Sequence, residues 1–147
     1  EMTTRMVEAV AIKKARFDGI YYCIHHPQGT VKRYTKICDC RKPKPGLLLK
    51  AAAALDIALN QSYMVGDSIT DIQAGQAAGC STILIGRLKC ETCRLIDEQS
   101  ARPDYFAPDI WEAVHLIINR KKLKNNSEKA PAKRKAVRGS ICPVNEA

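Results

Sequence analysis

Aromatic residues and long apolar runs are scarce in this chain of 147 residues. It contains one Trp and two Phe, and no stretch approaches the roughly 20 consecutive apolar residues that span a membrane. Residues 1–16 also lack the basic stretch and apolar run of a secretory signal. The hydrophobic fraction of 46% is nevertheless ordinary for a globular protein, which excludes wholesale disorder. We therefore expect one cytoplasmic domain with a tail and no membrane contact.

Positive charge is concentrated at the end of the chain. Residues 120–147 contain 9 Lys and Arg against 2 Asp and Glu, whereas residues 1–119 contain 15 against 13. The basic end has no Phe, Tyr or Trp on which bases would stack, so a zinc-bearing nucleic-acid-binding module is a weak alternative. We predict a domain over residues 1–122 and a basic, disordered tail over residues 123–147.

Cysteine is abundant, but its odd number of seven excludes complete pairing. Without a secretory signal, closely spaced cysteines are more often metal ligands than disulfides. Cys23 and His25, followed by Cys38 and Cys40, supply three thiols and an imidazole, the set that a structural zinc ion favours. His26 is an alternative to His25. The predicted zinc loop covers residues 23–40.

Two other groups of potential metal ligands are better explained without a metal ion. Cys90 and Cys93 have ligand spacing but no visible second pair, which favours loop cysteines with a reactive thiol. His115 falls in a predicted helix near Trp111 and Ile118, where a packing role is the more common one.

Apolar periodicity and breaker residues predict alternating strands and helices. Helices are predicted at residues 1–16, 47–57, 70–78 and 109–122, and strands at residues 19–23, 62–65, 81–86 and 105–106. This alternation is typical of an α/β parallel sheet with crossover helices. In such sheets, ligands bind beyond the carboxyl ends of the strands.

Charged residues follow these predicted strand ends. Asp67 comes directly after the strand that ends in Val65 and Gly66, where a carboxylate can hold magnesium against a phosphate. The alternative is that Asp67 only caps the next helix. Arg41 and Lys42 follow the zinc loop and are suited to gripping phosphate oxygens, although a solvated basic loop is equally compatible with composition.

Three ordered motifs resemble one known family. Residues 19–29 (Gly-Ile-Tyr-Tyr-Cys-Ile-His-His-Pro-Gln-Gly), 38–43 (Cys-Asp-Cys-Arg-Lys-Pro) and 63–67 (Tyr-Met-Val-Gly-Asp) resemble the D-glycero-D-manno-heptose-1,7-bisphosphate 7-phosphatases of the haloacid-dehalogenase superfamily. The resemblance covers about residues 1–119. It implies a Rossmann-type haloacid-dehalogenase-like fold and a monomeric phosphatase acting on a phosphorylated sugar of lipopolysaccharide core biosynthesis, with Mg²⁺ and Zn²⁺. The related histidinol-phosphate phosphatases remain an alternative.

The resemblance also implies roles for individual residues. It makes Arg41 a substrate-recognition group and Lys42 the lysine that stabilises the transferring phosphoryl group. Ser68 stands at a substrate-contacting position where the family usually has lysine. The implied metal ligands are Cys23, His25, Cys38 and Cys40 for zinc and Asp67 for magnesium.

One family motif is absent from the chain. The family's nucleophile lies in an Asp-x-Asp motif, and no such motif occurs in the 147 residues. We therefore expect the carboxyl-terminal portion of the enzyme, N-terminally incomplete, with half of the active site. In the implied mechanism, one aspartate attacks phosphorus and a second protonates the leaving alkoxide. The chain alone is therefore expected to be inactive.

Overall fold

The computed structural model describes residues 2–86, 96–99 and 101–126. Within these ranges, helices and strands alternate along the chain. In order they are α1 (Met2–Ile12), α2 (Gly46–Leu55), β1 (Tyr63–Gly66), α3 (Ile69–Ala77), β2 (Ser81–Ile85), β3 (Tyr105–Ala107) and α4 (Ile110–Asn126), with 3-10 turns at Lys32–Tyr34 and Leu59–Gln61. None of the helices in this part of the chain has the length and hydrophobicity that a bilayer crossing requires.

The described strands form one parallel sheet in the order β1-β2-β3. Val65 pairs with Ile83 in the first ladder, and Ile83 pairs with Tyr105 in the second. The parallel arrangement predicted from the strand and helix alternation is confirmed. The carboxyl ends of all three strands therefore lie at the same edge of the sheet.

Helices cover both faces of the central strand. Ile72 of α3 packs with Leu84 on one face, and Ala113 of α4 packs with Ile83 on the other. Thr82, Ile83 and Leu84 are all buried, as expected for a parallel strand with a helix on each side. The core of the domain therefore lies around β2.

The start of β2 is tied to the start of β3 by Asp104. The carboxylate of Asp104 accepts hydrogen bonds from the backbone N–H of Thr82 at 2.8 Å and from the Thr82 hydroxyl at 2.9 Å. The backbone N–H of Asp104 in turn donates to the same hydroxyl at 3.0 Å. These bonds satisfy the fully buried Thr82 side chain and fix the position of β3.

The predicted strand at residues 19–23 is wrong. Its residues alternate as in a strand, with Tyr21 and Cys23 half-buried and Tyr22 and Ile24 exposed. However, the segment pairs with no strand in the described part of the chain. A strand needs a hydrogen-bonding neighbour, and the local apolar pattern cannot reveal whether one is present.

Helix ends also differ from the prediction at both ends of the chain. Helix α1 stops at Ile12 instead of residue 16, and Lys14 then adopts a left-handed conformation with φ of 57°. Helix α4 continues to Asn126, beyond the predicted domain boundary at residue 122. Lysine and arginine are good helix formers, and cations near a helix carboxyl end are favourable. The rest of the predicted tail, residues 127–147, lies outside the described residues.

Candidate functional site

The structure brings together the four predicted zinc ligands. Their ligand atoms, from Cys23, His25, Cys38 and Cys40, all lie within 4.8 Å of one another. The Sγ of Cys40 is 3.0 Å from that of Cys38 and 3.1 Å from that of Cys23. His25 turns its Nδ1 toward the cluster, 3.4 Å from the Sγ of Cys40. His26 lies outside the cluster, and its Nδ1 accepts a hydrogen bond from the backbone of Gln28 at 3.1 Å.

The geometry of this cluster fits a tetrahedral ion. Zinc–sulfur bonds of about 2.3 Å give a tetrahedron with edges of about 3.8 Å. The separations from the Cys23 Sγ, 3.5 Å to the Cys38 Sγ and 3.8 Å to the His25 Nδ1, are close to such an edge. The Cys40 Sγ lies closer than an edge to both other sulfurs, at 3.0 and 3.1 Å, so an ion would move it outward. Three sulfurs and one imidazole nitrogen also match the chemistry of zinc, and four protein ligands would leave no open position.

Hydrogen bonds connect the thiols of Cys23, Cys38 and Cys40. The hydrogen bond from Cys40 lowers the pKa of the Cys38 thiol to about 6, because it stabilises the thiolate. The same hydrogen bond raises the pKa of Cys40 to about 12, because Cys40 loses its acceptor when it gives up the proton. A cation at the centre of the cluster would also favour the thiolate forms that bind metals.

The cluster also holds the basic loop that follows it. Arg41 comes directly after Cys40, and its Nη1 donates a 3.0 Å hydrogen bond to the backbone carbonyl of His25. Lys44 forms a 2.7 Å ion pair with Asp39, and this partner lowers the pKa of the Asp39 carboxyl and raises that of Lys44. The backbone N–H of Gly46 closes the loop on the carbonyl of Asp39 at 3.0 Å. The two predicted phosphate-binding cations therefore lie on a braced loop.

The start of α3 is capped by Ser68 and Asp71. The Ser68 hydroxyl accepts from the backbone N–H of Thr70 at 3.3 Å, and the carboxylate of Asp71 accepts from the backbone N–H of Ser68 at 3.1 Å. Ser68 and Asp71 thus form a capping box. The Ser68 hydroxyl, which the family resemblance makes a substrate-contacting group, is used here to cap the helix.

Asp71 lies below the end of β1 and pairs with Lys42. Its side chain is 5% exposed, and one of its oxygens contacts the Nζ of Lys42 while the other caps α3. Gly66 makes this placement possible, because a Cβ at that position would overlap the carboxylate of Asp71. Lys42 is thereby held at the carboxyl end of β1, and its side chain remains half exposed.

Asp67 extends from the same strand end into solvent. Because Ser68 is the capping residue, the alternative in which Asp67 only caps α3 is wrong. Within the part of the chain that the structure describes, the exposed carboxylate of Asp67 makes no hydrogen bond or ion pair. An exposed carboxylate beside a cation at a strand end suits a magnesium ion that bridges to a phosphate.

A cavity of about 600 Å³ lies beside these groups. It runs from the backbone near Cys40 to the apolar side chains of α2 and β1. Its charged lining residues are all cations, Arg41, Lys42 and Lys44. This excess of positive charge is suited to phosphate oxygens or carboxylates.

Sequence reasoning missed the role of Asp71. Its position three residues after Ser68 is the spacing of a capping box, which is a readable signal. Its pairing with Lys42 joins residues far apart in the chain and has no local signal.

Cys90 and Cys93 lie outside the described residues. His115 packs against Trp111 as predicted, edge to face with ring centroids 4.8 Å apart, on the exposed side of α4.

Curated relatives match more than half of this chain. The D-glycero-beta-D-manno-heptose-1,7-bisphosphate 7-phosphatase of Escherichia coli K12 is 48% identical over 86 residues, which are 58% of this chain and 45% of that protein. The enzyme of the same name from Vibrio cholerae is 41% identical over 107 residues, 72% of this chain and 55% of that protein. The chain thus spans about half the length of the curated relatives it matches.

Solved structures show the same fold. D,D-heptose 1,7-bisphosphate phosphatase from B. bronchiseptica, solved with magnesium and phosphate, superposes with a TM-score of 0.63 at 28% identity, covering 80% of this chain and 62% of that one. A HAD-like phosphatase structure from Mesorhizobium loti gives a TM-score of 0.61 at 24% identity, covering 82% and 55%, which is evidence for the fold alone. The family profile described as HAD-hydrolase-like matches residues 39–113. With half of its length matched by that profile, and with the parallel sheet and strand-end carboxylate described above, this chain belongs to the HAD-hydrolase-like family.

Proposed function

We propose that the chain supplies the phosphate-binding half of a sugar-bisphosphate phosphatase. The observation that carries this proposal is the ion pair that holds Lys42 on Asp71 at the carboxyl end of β1, next to a cavity lined by the cations Arg41, Lys42 and Lys44. Asp67 is the exposed carboxylate that follows the same strand. The similarity to a heptose-bisphosphate phosphatase over 86 residues supports it.

Each of these residues has a distinct electrostatic task. The ammonium of Lys42 offsets the charge that builds up on the equatorial oxygens of the transferring phosphoryl group. Its ion pair with the buried Asp71 holds it in position before substrate arrives, so little reorganisation is needed. Arg41, anchored by the His25 carbonyl, is a bidentate donor for the substrate.

The residues present fit both metal ions. Asp67 would hold Mg²⁺, a hard cation that takes oxygen ligands and neutralises phosphate charge. One carboxylate from this chain leaves the remaining positions to water, substrate and other groups. The cluster of Cys23, His25, Cys38 and Cys40 would hold Zn²⁺ as a structural ion that braces the loop bearing Arg41 and Lys42.

The nucleophilic half of the chemistry comes from outside these 147 residues. Attack on phosphorus to form an aspartyl phosphate requires a carboxylate in line with the leaving oxygen. The chain has no Asp-x-Asp motif, and among the described residues the carboxylate that contacts Lys42, that of the buried Asp71, already caps α3. Asp67 is assigned to the metal.

The proposed substrate is D-glycero-D-manno-heptose 1,7-bisphosphate, converted to the 1-phosphate. The curated relatives named above carry that activity in their names, and none of them is named for histidinol phosphate. We further propose that the complete enzyme acts in the cytoplasm as a monomer.

A chimera with the Escherichia coli relative tests the substrate. The part of that enzyme that this chain does not match would be joined ahead of residue 1, and phosphate release would be measured with heptose 1,7-bisphosphate and with histidinol phosphate. We expect Mg²⁺-dependent release from the bisphosphate. Lys42→Ala should lower kcat about 10²-fold or more, the scale of losing one transition-state donor. Lys36→Ala, on the exposed loop, is the matched control. Preference for histidinol phosphate, or equal effects of the two variants, would contradict the proposal.

A further inference from the structure

Three cations line the cavity beside the end of β1, and the contacts of two of them fix their positions. Lys42 is held by the buried carboxylate of Asp71, and Arg41 donates to the backbone carbonyl of His25. Lys44 lines the same cavity, but its partner is a carboxylate on the surface of its own loop. Lys44 is therefore the cation of this cavity that a ligand can recruit with the least rearrangement.

The ion pair of Lys44 with Asp39 is exposed to solvent. The Nζ of Lys44 lies 2.7 Å from the Asp39 carboxylate, and the two side chains are 49% and 91% exposed. Exposed ion pairs contribute little to stability, because water and salt compete for both charges. A phosphate carries more charge and more acceptor oxygens than a carboxylate, so it competes well for the Lys44 ammonium.

The backbone of Lys44 is fixed, whereas its side chain is long enough to change partners. Pro43 and Pro45 restrict the backbone on either side, and the N–H of Lys44 donates to the carbonyl of Arg41 at 3.0 Å. Asp39 lines a neighbouring cavity and not this one. A rotation of the flexible lysine stem therefore moves the ammonium away from Asp39 and into the cavity that the three cations line.

Among the described residues, no carboxylate lines this cavity to compete with an anionic ligand. Ser68, at the start of α3, contributes a hydroxyl that caps the helix and no charge. Lys42 and Lys44 are two residues apart, so their Cα atoms are separated by no more than about 7 Å. Cations at two points of one cavity suit a ligand with two anionic groups, such as the two phosphates of a sugar bisphosphate.

From these observations we infer that Lys44 is a specificity-determining residue, whose ammonium leaves Asp39 and binds the phosphate of a sugar bisphosphate that is not transferred. Lys42 then contacts the transferring phosphoryl group and Lys44 the second phosphate. This deepens the proposed function and rests on it for the identity of the sugar, whereas the binding of two phosphates requires only the cations of this loop.

A purely structural role for Lys44 predicts different behaviour. If the ion pair with Asp39 only braced the loop, removing either partner would have the same effect. If Lys44 binds phosphate, removing the Asp39 charge frees the ammonium, whereas removing Lys44 deletes the binding group. The variants Asp39→Asn and Lys44→Ala therefore separate the two roles.

Calorimetric titration of the full 147-residue chain in the presence of Mg²⁺ tests the inference. The ligands are D-glycero-D-manno-heptose 1,7-bisphosphate and the 7-phosphate of the same sugar, which lacks the second phosphate. We expect the bisphosphate to bind about tenfold or more tightly than the monophosphate. Lys44→Ala should reduce this preference to within about twofold, and Lys44→Arg should retain most of it. Lys36→Ala, on the exposed part of the zinc loop, is the matched control and should keep the preference.

Asp39→Asn should bind the bisphosphate as tightly as the parent chain or more tightly, because it removes the competing carboxylate. The zinc content of each variant is measured alongside, since a brace would change the loop that holds the cluster. If Lys44→Ala loses zinc, Lys44→Met, which keeps the length of the side chain without its charge, replaces it in the comparison.

Several results would overturn the inference. They are equal or absent binding of the two ligands by the parent chain, an unchanged preference in the Lys44→Ala variant, and loss of the preference in Asp39→Asn. The titration requires no turnover, and phosphate release by the chimera tests the proposed function separately. Failure of the Lys44 assignment is therefore distinguishable from failure of the phosphatase proposal.

Discussion

Two carboxylates four residues apart have different environments and therefore different tasks. Asp71 is buried, receives the ammonium of Lys42 and caps α3, whereas Asp67 is exposed at the strand end. The first builds the site and the second is available to a ligand. In the sequence, Asp67 and Asp71 follow the same strand. Their different roles become apparent only from the burial of Asp71 and the exposure of Asp67.

Removing Asp71 should destabilise the domain much more than removing Asp67. Asp71→Ala leaves the Ser68 N–H without its acceptor and Lys42 without its partner, so we expect a loss of about 1–3 kcal/mol in the free energy of unfolding. Asp67→Ala changes an exposed side chain and should cost no more than about 0.5 kcal/mol. Urea unfolding of the two variants checks this, and equal losses would contradict the assignment.

Zinc content tests the cysteine cluster. Protein purified without chelator should contain about one zinc ion per chain, and Cys38→Ser should lower that content by removing one of four ligands. Cys80→Ser is the matched control, because Cys80 is half-buried and lies outside the cluster. Elemental analysis makes the measurement. A wild-type chain without zinc, or a Cys38→Ser chain with unchanged zinc, would refute the site.

At the scale of elements, local pattern predicted the parallel sheet and most helices. Gly79 adopts a left-handed φ of 80° directly after Ala78, the C-cap of α3, a position that favours glycine. The strand predicted at residues 19–23 is wrong because strand formation depends on a neighbour. The pairing of Lys42 with Asp71 could likewise not be predicted from local sequence, because it joins a loop to the start of a helix 29 residues away.

The connection between β2 and β3 depends on one buried hydroxyl. Thr82→Val keeps the shape of the side chain but leaves the Asp104 N–H without its acceptor and the carboxylate with one donor fewer. We expect a loss of about 1–3 kcal/mol in the free energy of unfolding by thermal or urea denaturation. Thr82→Ser retains the hydroxyl and should lose less. A Thr82→Val variant as stable as the parent chain would disprove the stabilising role of the hydrogen bonds between Thr82 and Asp104.

At the scale of the whole molecule, the described elements form an electrostatic half-site. The cluster of Cys23, His25, Cys38 and Cys40 leads directly into the loop that carries Arg41 and Lys42, and Asp67 follows the end of β1, where Lys42 is held by Asp71. The family resemblance of the three motifs predicted this set of residues. The fold brings the loop to the carboxyl end of β1 through the pairing of Lys42 with Asp71, which is where ligands bind in parallel sheets. The sequence contains no Asp-x-Asp, the motif in which the family resemblance places the nucleophile.

Phosphate release by the 147-residue chain is the most direct test of this account. Assayed with a sugar bisphosphate and Mg²⁺, the chain alone should show no turnover, because binding groups without a nucleophile cannot form the aspartyl phosphate. Joining the family segment that bears Asp-x-Asp should restore release, and Asp67→Asn in that chimera should abolish most of it. Robust phosphatase activity of residues 1–147 alone, surviving Asp67→Asn, would contradict the account.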